Sequence, residues 1–197
     1  EKAGYQEIST PAVMDRCLWE RSGHWAKYGE HNYSGKTQDG KVFCIKPMSC
    51  PGGMLVFGHG LRSYKDLPLY MAEFGKVHRY EAAGGLSGLM RVREFTQDDA
   101  HIFCTEEQLE EEVVKILKFI KDIYGKFGFD KITMKLATRK ESEFRIGSDE
   151  IWDKAEGALK HALDANGIEY EIAEGDAAFY GPKIDNYLKG SMGRVWQ

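Results

Sequence analysis

The chain has 197 residues, 42% apolar and 29% charged, which is enough for one domain with a sizeable core. Its 27 Lys and Arg against 31 Asp and Glu give a net charge of −4, so no overall basic field points to nucleic acid. There is neither a basic-then-apolar leader nor an apolar run near the roughly 20 residues of a membrane span, and Cys17, Cys44, Cys50 and Cys104 lack the spacing of a disulfide framework, so the cytosol is the default compartment.

In chain order, residues 5–10 predict a short strand that Pro11 ends. The spacing of Val13, Leu18 and Trp19 predicts a helix from about Ala12, stopped near Ser22-Gly23-His24-Trp25. Asp39-Gly40 predicts a hairpin within 31–47 whose second arm is Val42-Phe43-Cys44-Ile45. The segment Lys46-Pro47-Met48-Ser49-Cys50-Pro51-Gly52-Gly53 reads as turn, with a short helix from Met54 to about Arg62. Two strands, 70–81 and 90–104, then flank a loop carrying Gly84, Gly85 and Gly88.

Thr105 with Gln108 three residues later has the form of a capping box. Leu109, Val113, Ile116, Leu117, Ile120 and Tyr124 follow as one apolar stripe, ended by Gly125 and Gly128. Residues 131–137 alternate as a strand expected to join the hairpin's sheet. A polar connection over 138–147 leads to a second helix from Ser148-Asp149-Glu150 to about Asn166, ended by Gly167. Residues 168–172 read as a strand, and 185–188 with 195–197 as a last hairpin turned by Gly190 and Gly193. The expected class is α+β, an antiparallel sheet flanked by helices. Neither a Gly-x-Gly-x-x-Gly nor a Walker-type loop occurs, which argues against a Rossmann or P-loop nucleotide site.

The chemistry concentrates around the central hairpin. Arg79 and Glu81 sit two apart, as do Arg91 and Arg93, so each pair projects from one strand face. Gln97, Asp98, Asp99 and His101 follow in a run otherwise suited to burial. On charge alone this is a hairpin with a wet outer face; guanidinium forks are also suited to phosphate, since each can hold two oxygens. Cys50 and His101, 51 residues apart, read by themselves as core groups, although thiolate and imidazole are both good zinc ligands.

A strand ending Phe-x-x-x-x-Arg-x-Glu, a mobile loop, and a strand opening Arg-x-x-x-Phe-Thr-Gln-x-Asp resemble motif 2 of class II aminoacyl-tRNA synthetases. RVREFTQDDAHIFCTEEQ, with KPMSCPG upstream and FYGPK at 179–183, is similar to the threonyl-tRNA synthetases in particular. The resemblance runs the length of the chain, from the strand half of motif 1 to just short of motif 3, and it implies a helical insertion at about 141–167. It places the helix that supplies much of the family's homodimer interface before residue 1, and motif 3, the anticodon-binding module and the editing module outside this sequence.

The resemblance implies ATP-dependent activation of threonine and its transfer to tRNA(Thr), with Zn2+ and Mg2+ as cofactors. It assigns Arg79 to the ATP α-phosphate, Glu81 to adenine, Arg91 to the outer phosphates and Gln197 to ATP. Cys50 and His101 match zinc ligands, with a third ligand beyond the C-terminus, and the metal grips the amino and hydroxyl groups of threonine. A site that must bond a hydroxyl rejects valine far more strongly than an apolar pocket does. Asp99 would accept from the substrate hydroxyl, Gln97 and Tyr180 would hold the amino end, and Met48 would line the pocket. His24 matches a histidine tied to the ribose step of transfer, or is an ordinary helix-end His, and Lys183 matches a lysine near the substrates. Gly53 departs from the family's Cys-Pro-Gly-His, and Asn32 and Asn186 fall where apolar residues are common. The Ser191-Met192-Gly193-Arg194 run is expected to belong to the strand preceding motif 3. Two other functions stay open: a synthetase-derived, non-catalytic binding or regulatory module, and a class II synthetase for another amino acid such as serine or proline.

Overall fold

The computed structural model describes residues 3–129, 131–140, 144–190 and 192–197. The chain divides into two compact units, Glu1–Phe103 and Cys104–Gln197.

The first unit opens with β1 (Gln6–Glu7), which pairs parallel with a later strand. The helix expected from Ala12 is a correction: Val13–Asp15 is a strand, β2, and α1 (Arg16–Arg21) begins only after it. The Asp15 carboxylate accepts the Cys17 amide at 2.8 Å, so the acid caps α1 and fixes the switch from strand to helix. Gly23 at φ +78° ends that helix and α2 (His24–Tyr28) follows directly. The Asp39-Gly40 hairpin is present, with β3 (Ser34–Lys36) and β4 (Val42–Ile45) in the sheet order β2-β4-β3. Met14, Trp19 and Cys44 form its buried core, with Leu18, Trp25 and Met48 packed around them.

The helix expected from Met54 starts four residues earlier: α3 spans Cys50–Phe57. Pro51 suits a first helical turn because its missing N–H would have no partner there. The two glycines that suggested a turn are buried in close contact instead, Gly52 against Thr10 and Met14. The central hairpin is β5 (Leu69–His78) against β6 (Glu94–Phe103), antiparallel over ten paired positions, with β1 on its other edge.

In the second unit Thr105 and Gln108 make the capping box, the Gln108 side chain accepting the Thr105 amide at 3.0 Å, before α4 (Leu109–Lys126). The strand expected at 131–137 is β7 (Ile132–Thr138), but it pairs with β8 (Tyr170–Glu174) and β9 (Lys183–Lys189) in a separate four-stranded sheet ordered β10-β9-β7-β8. β7 and β8 run parallel across α5 (Asp149–Ala165), so this sheet is mixed rather than all antiparallel. α4 and α5 cover one face, burying Leu117 and Leu163 on Met134 and Leu136. β10 (Val195–Trp196) closes a hairpin in which Gly193, at φ +78°, makes the turn after β9. The expected strand at 191–194 is therefore turn where it is described, with Ser191 outside the described residues, as are 141–143 of the expected insertion.

Candidate active site

Strand alternation decides which side chains of the hairpin share a surface. On β5, Met71, Glu73, Gly75 and Val77 are buried and the residues between them are not. Register sets His101 opposite Met71, Asp99 opposite Glu73, Gln97 opposite Gly75 and Phe95 opposite Val77. The expected Gln97, Asp99 and His101 thus share the covered face.

Helix α3 lies along that face with contacts four residues apart. Ser49, its N-cap, sits against Gly75, where an added Cβ would overlap the Ser49 hydroxyl. Gly53 sits against His101, whose Nδ1 would lie 3.3 Å from a Cβ there. The ring of Phe57 stacks on Phe103 at 4.0 Å. Cys50, the first residue of α3, is therefore brought to the hairpin's covered face. Burial pushes its thiol pKa up and the Asp99 charge adds to that, while Arg79 pulls it down, so both charges lie near the Cys50 sulfur.

Arg79 is half-buried; its Nε donates to the Pro47 carbonyl at 3.1 Å and its guanidinium lies over the Phe95 ring at 5.1 Å. It forms no ion pair with a carboxylate among the described residues, which leaves a charge suited to an anion. Glu81 and Arg91, assigned by resemblance to adenine and the outer phosphates, bind each other here, Arg91 reaching Glu81 Oε2 through Nε at 3.0 Å and a terminal nitrogen at 2.9 Å. Arg93 donates to the Glu81 carbonyl at 2.9 Å and covers the Tyr80 ring.

The remaining predicted residues stand on other elements. Met48 packs on the first unit's core cluster. His24 is buried, its Nδ1 2.8 Å from the Ser22 hydroxyl and its ring edge-on to Trp19, and burial lowers its pKa. Tyr180, Lys183 and Gln197 belong to the second unit. Tyr180 is exposed beside the buried Phe179, Lys183 donates to Asp185 at 2.7 Å, and Gln197 is exposed. Among the described residues no group of three or more His, Cys, Asp and Glu side chains is placed to hold a metal.

Sequence reasoning missed a buried cluster beside the site, Thr10, Lys46 and Glu73. The available signal was slight: an acid at an inward position of an apolar strand, and a lysine just before the KP turn.

The hairpin thus carries Gln97, Asp99 and His101 on one face, with Cys50 brought to it and Arg79 close by, and comparison with known proteins gives the family. Residues 33–197 match the model of the tRNA synthetase class II core domain (G, H, P, S and T), and the chain belongs to this family. Two curated relatives carry the same name. It is 55% identical to the Threonine--tRNA ligase of Pelagibacter ubique (strain HTCC1062) and 57% identical to that of Hahella chejuensis (strain KCTC 2396). All of the chain aligns in both, but it spans only 31% and 30% of their lengths. The crystal structure of the RNA binding domain of threonyl-tRNA synthetase from Cryptosporidium parvum Iowa II matches over the whole chain and 48% of its own, at 44% identity and a TM-score of 0.94. No helix of the described residues is long and apolar enough to cross a membrane.

Proposed function

We propose that this chain is a catalytic-core segment of a threonine--tRNA ligase, activating threonine with ATP in the cytosol for transfer to tRNA(Thr). What supports this reading is the gathering of Cys50, Asp99 and His101 at one covered face of the hairpin with Arg79 close by, together with two relatives named Threonine--tRNA ligase. The threonine carboxylate attacks the α-phosphorus of ATP, and the bond to the β-phosphate oxygen breaks to release pyrophosphate. Arg79, without an acid partner among the described residues, would hold the α-phosphate oxygens as negative charge builds there. Its Pro47 and Phe95 contacts fix its stem, so little motion is needed at the moment of reaction. Glu81 and Arg91 must part to meet nucleotide, and Mg2+ would neutralise the outer phosphates.

Cys50 and His101 fit two of the three protein ligands that a catalytic zinc takes, one sulfur and one nitrogen from facing elements. When bound there, zinc would supply a Lewis-acidic point for the amino and hydroxyl groups of threonine. Asp99 beside it would accept the hydroxyl proton, which valine cannot offer. Gln97 would hold the amino end, a role the resemblance also gives Tyr180, and it assigns Lys183 to the substrates and Gln197 to ATP. His24, buried and kept neutral, could take the ribose proton only after rearrangement of its packing against Trp19. A homodimer, as in the family, is part of the same proposal.

The test is threonine-dependent ATP–pyrophosphate exchange, run on residues 1–197 and on a polypeptide extended to the length of the relatives. Threonine should support exchange, valine should not, and Arg79→Ala should lower it by about a hundredfold or more, the scale of losing one preorganised donor to a developing charge. Exchange driven equally by serine or proline, or undiminished in Arg79→Ala, would overturn the reading.

A further inference from the structure

Three buried polar side chains that this chemistry does not use lie on the same covered face, beside the site. Thr10, Lys46 and Glu73 are 7%, 3% and 5% exposed. Lys46 Nζ donates to the Thr10 hydroxyl at 2.9 Å and to the Thr10 carbonyl at 3.4 Å, and stands 3.3 Å from Glu73 Oε2. Glu73 in turn accepts the Thr10 amide at 3.0 Å and the Thr10 hydroxyl at 2.9 Å. Burial pushes the Glu73 carboxyl pKa up, but the Thr10 hydrogen bonds and the Lys46 charge outweigh it and hold it below the ordinary value.

A buried ion pair adds little net stability compared with apolar side chains of the same shape. What it provides is direction, because each charge must meet its partners at fixed geometry. Here the geometry ties together the chain before β2, the exit of β4 and the middle of β5. The Lys46 backbone is held too, its amide donating to Ala12 and its carbonyl accepting from the His78 amide, both at 2.8 Å. The residues just after it carry the site: the Pro47 carbonyl receives Arg79 Nε, Ser49 lies on Gly75, and Cys50 opens α3.

We propose that Lys46 and Glu73 are positioning residues, whose ion pair, closed by Thr10, fixes the 46–50 turn and through it the Arg79 guanidinium and the Cys50 sulfur. The significance for catalysis rests on the proposed ligase function; the positioning itself does not. Neither charge touches the reacting atoms. Each works by denying the turn any alternative seat, since a shift of the turn would strand one buried charge from the other.

The experiment uses 15N-labelled chain and reads the exchange with water of the Arg79 Nε–H, which needs neither metal nor nucleotide. In Lys46→Met/Glu73→Gln both charges are replaced by side chains of similar length, so the melting temperature should stay within about 5 °C of the parent. The Arg79 Nε–H should nevertheless exchange about tenfold faster, the scale of losing one intramolecular hydrogen bond. Unchanged melting with Arg79 exchange within about twofold of the parent would overturn the proposal and leave the pair merely structural. Should the double variant not fold, Thr10→Val decides: it keeps both charges and removes only the hydroxyl between them. Faster Arg79 exchange in Thr10→Val supports the proposal and an unchanged rate overturns it. An extended polypeptide without pyrophosphate exchange, beside a chain whose Arg79 is protected and then released by the double substitution, counts against the ligase reading and for the positioning one.

Discussion

Replacing Gly75 with alanine puts the contact between β5 and the α3 N-terminus to a direct test. Gly75 is not at positive φ, so alanine fits its backbone. The loss of unfolded-state freedom would by itself stabilise the chain by about 0.4–1 kcal/mol. Against this, the new Cβ would overlap the Ser49 hydroxyl, and Ser49 is wholly buried, so the side chain or the strand must shift within a packed interior. Overpacking of this kind costs about 1–3 kcal/mol, so the net expectation is a loss of about 1–2 kcal/mol. For a unit of this size that lowers the melting temperature by about 4–15 °C. Ser49→Ala should relieve the overlap, because the remaining Ser49 Cβ stands 3.4 Å from the new carbon. Urea titrations of the two single variants and the double should then show a coupling of about 1 kcal/mol or more. Strictly additive losses, or a stabilising Gly75→Ala, would show that the helix start does not press on the strand and would remove the structural basis for placing Cys50.

Other outcomes follow from the same contacts. In metal-free chain, alkylation of Cys50 followed by mass spectrometry should titrate above the ordinary thiol value, since burial and then Asp99 raise its pKa, and Asp99→Asn should move the midpoint down. Cys44, with its thiol pushed up to about 11 by burial, should stay unreactive at neutral pH. His24 is buried with its pKa lowered, so the unfolded chain binds a proton that the folded one refuses. Stability should therefore be intact above about pH 6.5 and fall as pH drops below it, by up to about 1.4 kcal/mol per unit, and His24→Gln should flatten that slope in melts between pH 7.5 and 5. Asp15→Ala removes the α1 cap and should cost about 1 kcal/mol in thermal melts; no loss would mean that the helix start is held by packing alone.

What the sequence carried locally is what it showed clearly. The capping box of Thr105 and Gln108 and the Asp39-Gly40 hairpin are short-range devices, and both stand where their residues predict. Val13–Asp15 was read as helix because Val13, Leu18 and Trp19 suit a helical stripe, and the cap at Asp15 that separates strand from helix looks the same in a loop. Gly52 and Gly53 resembled a turn because glycine marks flexibility and close packing alike, and only the approach of Thr10 and His101 tells which applies. Partners distant in sequence were not legible at all. Nothing near β7 announces that it pairs with β8 and β9, and nothing near Lys46 announces Glu73, 27 residues on. The site residues of the first unit were found through motif wording, and alternation along β6 then explains why Gln97, Asp99 and His101 emerge on one face.

In the proposed ligase core, sulfur 50 and imidazole 101 meet at one metal beside Arg79, and X-ray absorption of the zinc-loaded chain reads that meeting. One sulfur at about 2.3 Å and at least one nitrogen at about 2.0 Å are expected, with the sulfur lost in Cys50→Ala and a nitrogen lost in His101→Ala. Zinc surrounded only by oxygen, or a spectrum that neither substitution changes, would contradict it.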